Sequence, residues 1–316
     1  MNAAQFLEFG VSVSLQTTMV VGAAWGVCRL GRLTALTECR LWHGAHSIIL
    51  GLTIVAATFP HIRLLSPAPI DVVRAVSVAH SRDVAGQVLL CVWFAGVALA
   101  TMSLVAGWIS AARCLKRCRE LDHGQLPGVA DRLRQKIDGL NVRVRTGPDI
   151  GGPCCWQFHR PYVLLPETIL GLGTRELQFI VQHELEHLRQ GHPLQLFVQR
   201  VVEILFWFHP VIWWSARQAA LAREFACDEA VARSRSDIAD YLRTLLAVVE
   251  HSGHVADPCG QTLSFGTGAG VIARRSRRLV HFVQSSRPPC DDSLADRWWR
   301  PAVLLLCGAA CTAAWL

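Results

Sequence analysis

Charged residues make up only 17% of this 316-residue chain, too few to clothe an ordinary soluble domain. Lysine is almost missing, with Lys116 and Lys136 the only two. The residues three positions before them are Arg113 and Leu133, so no Ser-x-x-Lys pair exists and a lysine-activated acyl-serine is excluded. None of the twelve cysteines forms a Cys-x-x-Cys pair, which removes the usual metal or redox dithiol motifs. Cys114/Cys118 and Cys307/Cys311 stand four apart in or beside apolar runs, and Cys154 and Cys155 are adjacent. They read as small apolar helix residues and reduced thiols. No glycine-rich phosphate loop and no internal repeat is present, which argues against a nucleotide cradle or a solenoid.

Apolar residues instead supply 52% of the chain, and the mean hydropathy is positive. Runs long enough to cross a bilayer are therefore the first feature to seek. Gly10 to Leu30 has that length, interrupted by Ser, Gln and Thr, with Arg29 at its edge. The residues before it carry Glu8 and no Lys or Arg, a poor start for a signal peptide. A second run, Gly44 to Phe59, is short for a crossing and ends at Pro60; the third, Val84 to Ala112, is the most apolar. A fourth, Pro301 to Leu316, follows Arg297, Trp298, Trp299 and Arg300, a pairing that a bilayer interface favours.

Basic residues then set the orientation. Arg32 and Arg40 follow the first run, and Arg113, Lys116, Arg117 and Arg119 follow the third. The intervening loop has Arg63, Arg74 and Arg82, offset by Asp71 and Asp83. The denser charge marks the inner side. The expectation is a multi-pass protein of a bacterial-type inner membrane, with its amino terminus outside and 113–300 in the cytoplasm. The net charge of +7 is spent on orientation and lipid contact, and no direct nucleic-acid contact is expected.

The chemistry lies in the polar-containing stretch between the third and fourth runs. His183-Glu184-Leu185-Glu186-His187 follows a helix opening at Thr174, read as the N-cap, with Glu176 in the first turn. Leu177, Ile180, Val181, Leu185 and Leu188 repeat at helical spacing. Two histidines four apart project from one helix face and can reach one zinc ion, with Glu184 set to take a proton from the metal's water. The alternative is two surface histidines on an ordinary amphipathic helix. A catalytic zinc of this type needs a third protein ligand. A third histidine six residues beyond His187 is ruled out, because Pro193 occupies that place. Trp214 to Ala232 reads as a helix carrying Glu224 and Asp228 on one face. Glu224 suits the third ligand, and Asp228 suits a hydrogen bond to a ligand histidine's second nitrogen. Solvent-facing carboxylates beside Arg217 and Arg223 are the plainer reading.

These motifs resemble the BlaR/MecR-type membrane metallopeptidases, the antirepressor signal transducers. The resemblance rests on His-Glu-x-x-His followed about 35–40 residues later by Arg223-Glu224-Phe225-Ala226-Cys227-Asp228-Glu229-Ala230-Val231. It extends to Arg160-Pro161-Tyr162-Val163-Leu164-Leu165-Pro166-Glu167 and Trp207-Phe208-His209-Pro210-Val211-Ile212-Trp213-Trp214. It implies His183, His187 and Glu224 as zinc ligands, Glu184 as catalytic base and Asp228 behind a ligand. It also implies a mainly α, multi-span membrane protein with a cytoplasmic zincin-like (gluzincin) α+β domain. The expected layout is 1–112 with three transmembrane helices, 113–297 as the peptidase domain and 298–316 as a fourth span. The implied substrate is a cytoplasmic protein, a transcriptional repressor or the chain itself.

Some features depart from that pattern or stay open. The chain ends at Leu316, so no penicillin-binding domain is expected after the last run, and His192 stands where the family more often has Asp. Tyr162 to Pro166 reads as a strand, either a plain core strand or the edge strand that pairs with substrate. Leu194 to Trp214 carries Gln195, Gln199, Arg200, Glu203 and His209, so a helix packed on the membrane face or the spans is preferred to a crossing. The cluster Arg274-Arg275-Ser276-Arg277-Arg278 suggests anionic lipid or, by the resemblance, a self-cleavage site. His159, His192 and Tyr241 are candidate donors to a tetrahedral intermediate. A housekeeping membrane quality-control protease and a zinc-bound, non-cleaving signalling scaffold are the competing functions.

Overall fold

The computed structural model describes residues 3–31, 33–58, 72–121, 131–157, 160–232, 234–251, 263–264 and 269–284. The fourth apolar run, the Trp-Arg cluster before it and His159 lie outside the described residues. The chain divides into two compact units. One comprises Met1–Met102, Val198–Ala219 and Asp291–Leu316, the last outside the described residues; the other comprises Ser103–Phe197 and Ala220–Cys290.

In the first unit, α1 (Ala3–Leu30), α2 (Ala35–Thr58) and α3 (Val72–Arg117) each contain a stretch long and apolar enough to cross a membrane. The second run is no longer short, because its helix starts at Ala35. Twenty-four residues at about 1.5 Å each reach about 36 Å, against a hydrocarbon core of about 30 Å. Val13, Val20, Val21 and Ala24 of α1 and Leu41, Trp42, Ala45 and Ile49 of α2 are buried, and α1 packs on α2. Val11, Leu15 and Met19 of α1 and Val88, Val92, Phe94 and Leu99 of α3 face outward, as lipid-contacting helices require.

Val198–Ala219 packs with these helices, although the sequence layout groups it with the peptidase domain. It contains the end of α6 (His192–Leu205) and the start of α7 (Pro210–Val231), with a break at Phe206–His209. Pro210 opens α7, where its missing N–H removes no bond. Several of its polar side chains find partners nearby. Gln199 and Arg200 donate to Glu203 at 2.8 and 2.6 Å, and His46 Nε2 lies 3.2 Å from Ser215 Oγ. The Leu205 carbonyl, left free at the end of α6, accepts a bond from Trp93 Nε1 at 2.9 Å.

The second unit is built on a five-stranded sheet of order β1-β2-β4-β3-β5. Its strands are β1 (Arg119–Glu120), β2 (Arg143–Gly147), β3 (Cys154–Gln157), β4 (Pro161–Pro166) and β5 (Leu263–Ser264). β2 and β4 are parallel, and the other pairs are antiparallel. Tyr162–Pro166 is thus a strand, but a central one, so the expected edge pairing does not belong to it. Alternation along β4 explains its apolar run. Val163 and Leu165 join the core with α5 (Thr174–Arg189) and α8 (Arg235–His251), while Tyr162 and Leu164 pack with Ala111 and Cys114 from the end of α3.

Helix α5 begins one residue earlier than the sequence suggests. Gly173 is its N-cap and Thr174 its first helical residue, without a side-chain cap. The five apolar residues expected on its inner face, Leu177, Ile180, Val181, Leu185 and Leu188, are all buried. Gly191 follows with φ of +68°, a conformation glycine adopts without strain, and α6 starts at once. Helices α4 (Asp131–Gly139) and α9 (Ala269–Gln284) complete the unit.

A Cβ on Gly96 of α3 would overlap the Trp207 indole, whereas Gly51 of α2 has open space. Gly96→Val is therefore expected to lower stability by about 1–3 kcal/mol through overpacking, and Gly51→Ala to leave it unchanged. Thermal melting of the detergent-solubilised chain is the measurement.

Candidate metal centre

The two histidines of α5 are a turn apart and fully buried, with their Nε2 atoms 3.1 Å from each other. Helix α7 brings Glu224 to them. Its Oε2 lies 3.5 Å from His183 Nε2 and its Oε1 3.5 Å from His187 Nε2. An ion held tetrahedrally at about 2.0–2.1 Å separates its donor atoms by about 3.3–3.4 Å. The two ring nitrogens are 3.1 Å apart and each has its own Glu224 oxygen at 3.5 Å, separations close to that spacing, so the donor set fits a small divalent cation.

The remaining ring nitrogens are each tied to a partner. Tyr241 of α8 donates to Asp228 Oδ1 at 2.7 Å and lies 2.8 Å from His183 Nδ1. The hydroxyl has one proton, which goes to Asp228, so it accepts from His183 Nδ1–H. This leaves the His183 Nε2 lone pair facing Glu224 and His187. Asp228 Oδ1 is itself 3.4 Å from His183 Nδ1, so the expected carboxylate contact runs mainly through Tyr241. Tyr241 sits behind His183 and is not aimed at the donor set, which corrects its candidacy as a donor to a reacting carbonyl.

His187 is oriented in the same way. The turn at Gly191 returns His192 to α5, with its Nδ1 2.8 Å from His187 Nδ1. Burial, then the neighbouring His187, pushes His192 well below the ordinary imidazole range. Neutral His192 accepts the His187 Nδ1–H bond and frees Nε2. Burial likewise lowers His187 to about 3, and a neutral ring is what a metal requires. Burial alone would raise the Glu224 carboxyl, but Arg275, a His183 hydrogen bond and the two histidines together hold it below its usual range.

Glu184 is fully buried, and neither of its carboxylate oxygens has a hydrogen-bond partner among the described residues. Burial, then Glu224, raises its pKa well above the carboxylate range, against a smaller lowering by Arg275. A carboxyl kept under that penalty is aimed at something the chain itself does not supply. Cys227 offers another donor, since its sulfur lies within 4.8 Å of donor atoms of His183 and His187. It also approaches His192 Nδ1 at 3.7 Å. Glu224 matches the tetrahedral spacing more closely.

Arg275 was legible in the sequence only as part of a basic cluster. Arg274 and Arg277 are exposed, but Arg275 is completely buried, hydrogen-bonded to Asp228 and ion-paired with Glu224. The overlooked signal is the spacing of Ile272, Arg275 and Leu279, which puts all three on one helix face. Tyr241 shares a similar stripe with Ile238, Leu245 and Val248 in the core.

Two buried helix-borne histidines and one carboxylate thus converge, beside a carboxyl with no partner among the described residues, on a chain with membrane-length helices. The chain belongs to the family described as BlaR1 peptidase M56, whose model matches residues 9–274. It is also 24% identical over 144 residues to "Regulatory protein BlaR1" of Bacillus licheniformis, covering 45% of this chain and 24% of that relative.

Tyr241→Phe removes the hydroxyl shared by His183, Asp228 and Arg275. It is expected to lower stability by about 1–3 kcal/mol, the penalty for stranding buried polar partners, read as a lower denaturation midpoint. An unchanged midpoint would show that the hydroxyl holds nothing.

Proposed function

We propose that this chain is a membrane zinc metalloendopeptidase of regulatory signalling that hydrolyses a peptide bond in a cytoplasmic protein. The observation that carries this reading is the convergence of His183, His187 and Glu224, with the two Nε2 atoms 3.1 Å apart and each 3.5 Å from one oxygen of the carboxylate. These three residues would hold zinc, and the ion's chemistry there is to acidify a water and polarise a carbonyl.

Glu184 accepts the proton from the attacking water and passes it to the leaving amine. Its raised pKa suits that role, because a carboxylate with a higher proton affinity takes a proton from water more readily. Tyr241 and Asp228 fix the His183 ring, and His192 fixes the His187 ring, so that both present Nε2. The denser basic charge after the first and third spans supports a cytoplasmic peptidase domain.

Strand β3 packs on α5 and pairs with β5, the last strand of the sheet. An extended peptide beside β3 would lie along the helix that bears Glu184. β5 belongs to this same chain, which favours self-cleavage within that segment. The basic cluster has no such support, since it lies on α9 with Arg275 buried. A repressor remains the second substrate class, supported by the relative's description as a regulatory protein.

Glu184→Gln is expected to retain about one zinc per chain and lose about 10²–10⁴-fold in cleavage. His183→Ala should lose the metal as well. Metal analysis beside a self-processing assay separates the two, and a Glu184→Gln chain that cuts normally would end the proposal. Cys227→Ser should keep its zinc; loss of the ion would instead transfer the third ligand to the thiol.

The pH profile gives a separate check. Protonation silences the base, so kcat/KM should fall as pH drops through the Glu184 pKa, which burial lifts above the usual carboxylate range. An acid limb absent down to ordinary carboxylate pH would exclude Glu184 as the base.

A further inference from the structure

Arg275 lies 51 positions beyond Glu224 in the sequence but reaches the same buried cluster. Its Nε and Nη2 donate to the two oxygens of Asp228 at 2.8 and 2.6 Å. Nη1 lies 2.9 Å from Glu224 Oε2, and Nη2 is 3.3 Å from the Tyr241 hydroxyl. One guanidinium thus engages Glu224 directly and, through Asp228 and Tyr241, the residues that orient His183. It is wholly buried, so these bonds are not exchanged for bonds to water. Helix α9 carries it there by docking with Leu279 and Ile272 on the same face.

We propose that Arg275 is a positioning residue: its planar fork sets the Glu224 carboxylate and the Asp228–Tyr241–His183 chain in ligand geometry, making α9 an integral part of the metal centre. This rests on the zinc reading above. The competing role is simple charge balance among buried carboxylates, and the two accounts differ in sign. A positive group beside a cation repels it, so under charge balance removing Arg275 leaves zinc affinity unchanged or tighter. Under positioning, removal weakens it. Lysine separates them further, because it keeps the charge but cannot reproduce a bidentate fork.

The experiment measures zinc affinity of the full chain in detergent by competition with a chromogenic chelator, with thermal melting of the metal-free proteins alongside. Arg275→Met and Arg275→Lys are both expected to bind zinc about 10–100-fold more weakly, the usual effect of losing a group that orients a ligand. Arg278→Gln, on the same helix, removes the Glu229 pair at 3.1 Å and the contact over the Phe225 ring and should bind as wild type does. Should the Met variant fail to fold, the Lys variant decides alone. Wild-type affinity in Arg275→Lys, or undiminished affinity in Arg275→Met, overturns the proposal. A wild-type chain with no zinc affinity would instead overturn the functional reading, and this inference with it.

Discussion

Glu184, Glu224 and Asp228 are buried in one small region together with two imidazoles, and the arrangement survives because Arg275 is buried with them. Carboxylates removed from water repel each other and lose solvation, a penalty of several kcal/mol per unpaired charge. One guanidinium hydrogen-bonded to Asp228 and ion-paired with Glu224 offsets much of it. Glu184 receives the smallest share, and its proton affinity rises accordingly. The division separates the two carboxyls: Glu224 is held below its usual range, while burial and Glu224 raise the proton affinity of Glu184.

The rest of the second unit serves to bring these groups together. The sheet presents Val163 and Leu165 to α5, whose apolar stripe is fully covered, so the opposite face of α5 has no freedom to rotate His183 and His187 away. α7 contributes Glu224 and Asp228 a turn apart, α8 contributes Tyr241, and α9 contributes Arg275. The left-handed turn at Gly191 returns His192 to the helix that the chain has just left. Each ligand histidine therefore has its second nitrogen fixed by a residue from another element or from beyond that turn. Membership of the M56 family is consistent with this economy of parts, since a peptidase centre needs few residues held without slack.

The helical pattern, the metal-ligand motif and the membrane runs were readable because each depends on local spacing. A spacing of four between His183 and His187 already implies one helix face. The apolar stripe of α5 required no knowledge of its partners. Tyr162–Pro166 was readable as a strand, but its position in the sheet was not, since an apolar run can be central or at an edge. Arg275 and Tyr241 were obscured for a related reason. A buried charge looks like a surface charge until its partner arrives, and that partner lies on a distant helix. Leu194 to Trp214 was ambiguous because its polar residues satisfy each other only across a helix turn or against the spans.

The amino-acid sequence alone settled which side chains could do chemistry and on which face of a helix each would stand, because helix periodicity is a property of neighbouring residues. It also settled that part of the chain suits a bilayer, because hydropathy sums along contiguous residues. Tertiary structure decided which carboxylate meets the histidines, which hydroxyl and imidazole fix their tautomers, and which one arginine of a basic cluster turns inward. Those choices rest on burial and on contacts between residues dozens of positions apart, where solvent is excluded and each unsatisfied polar group must find its partner.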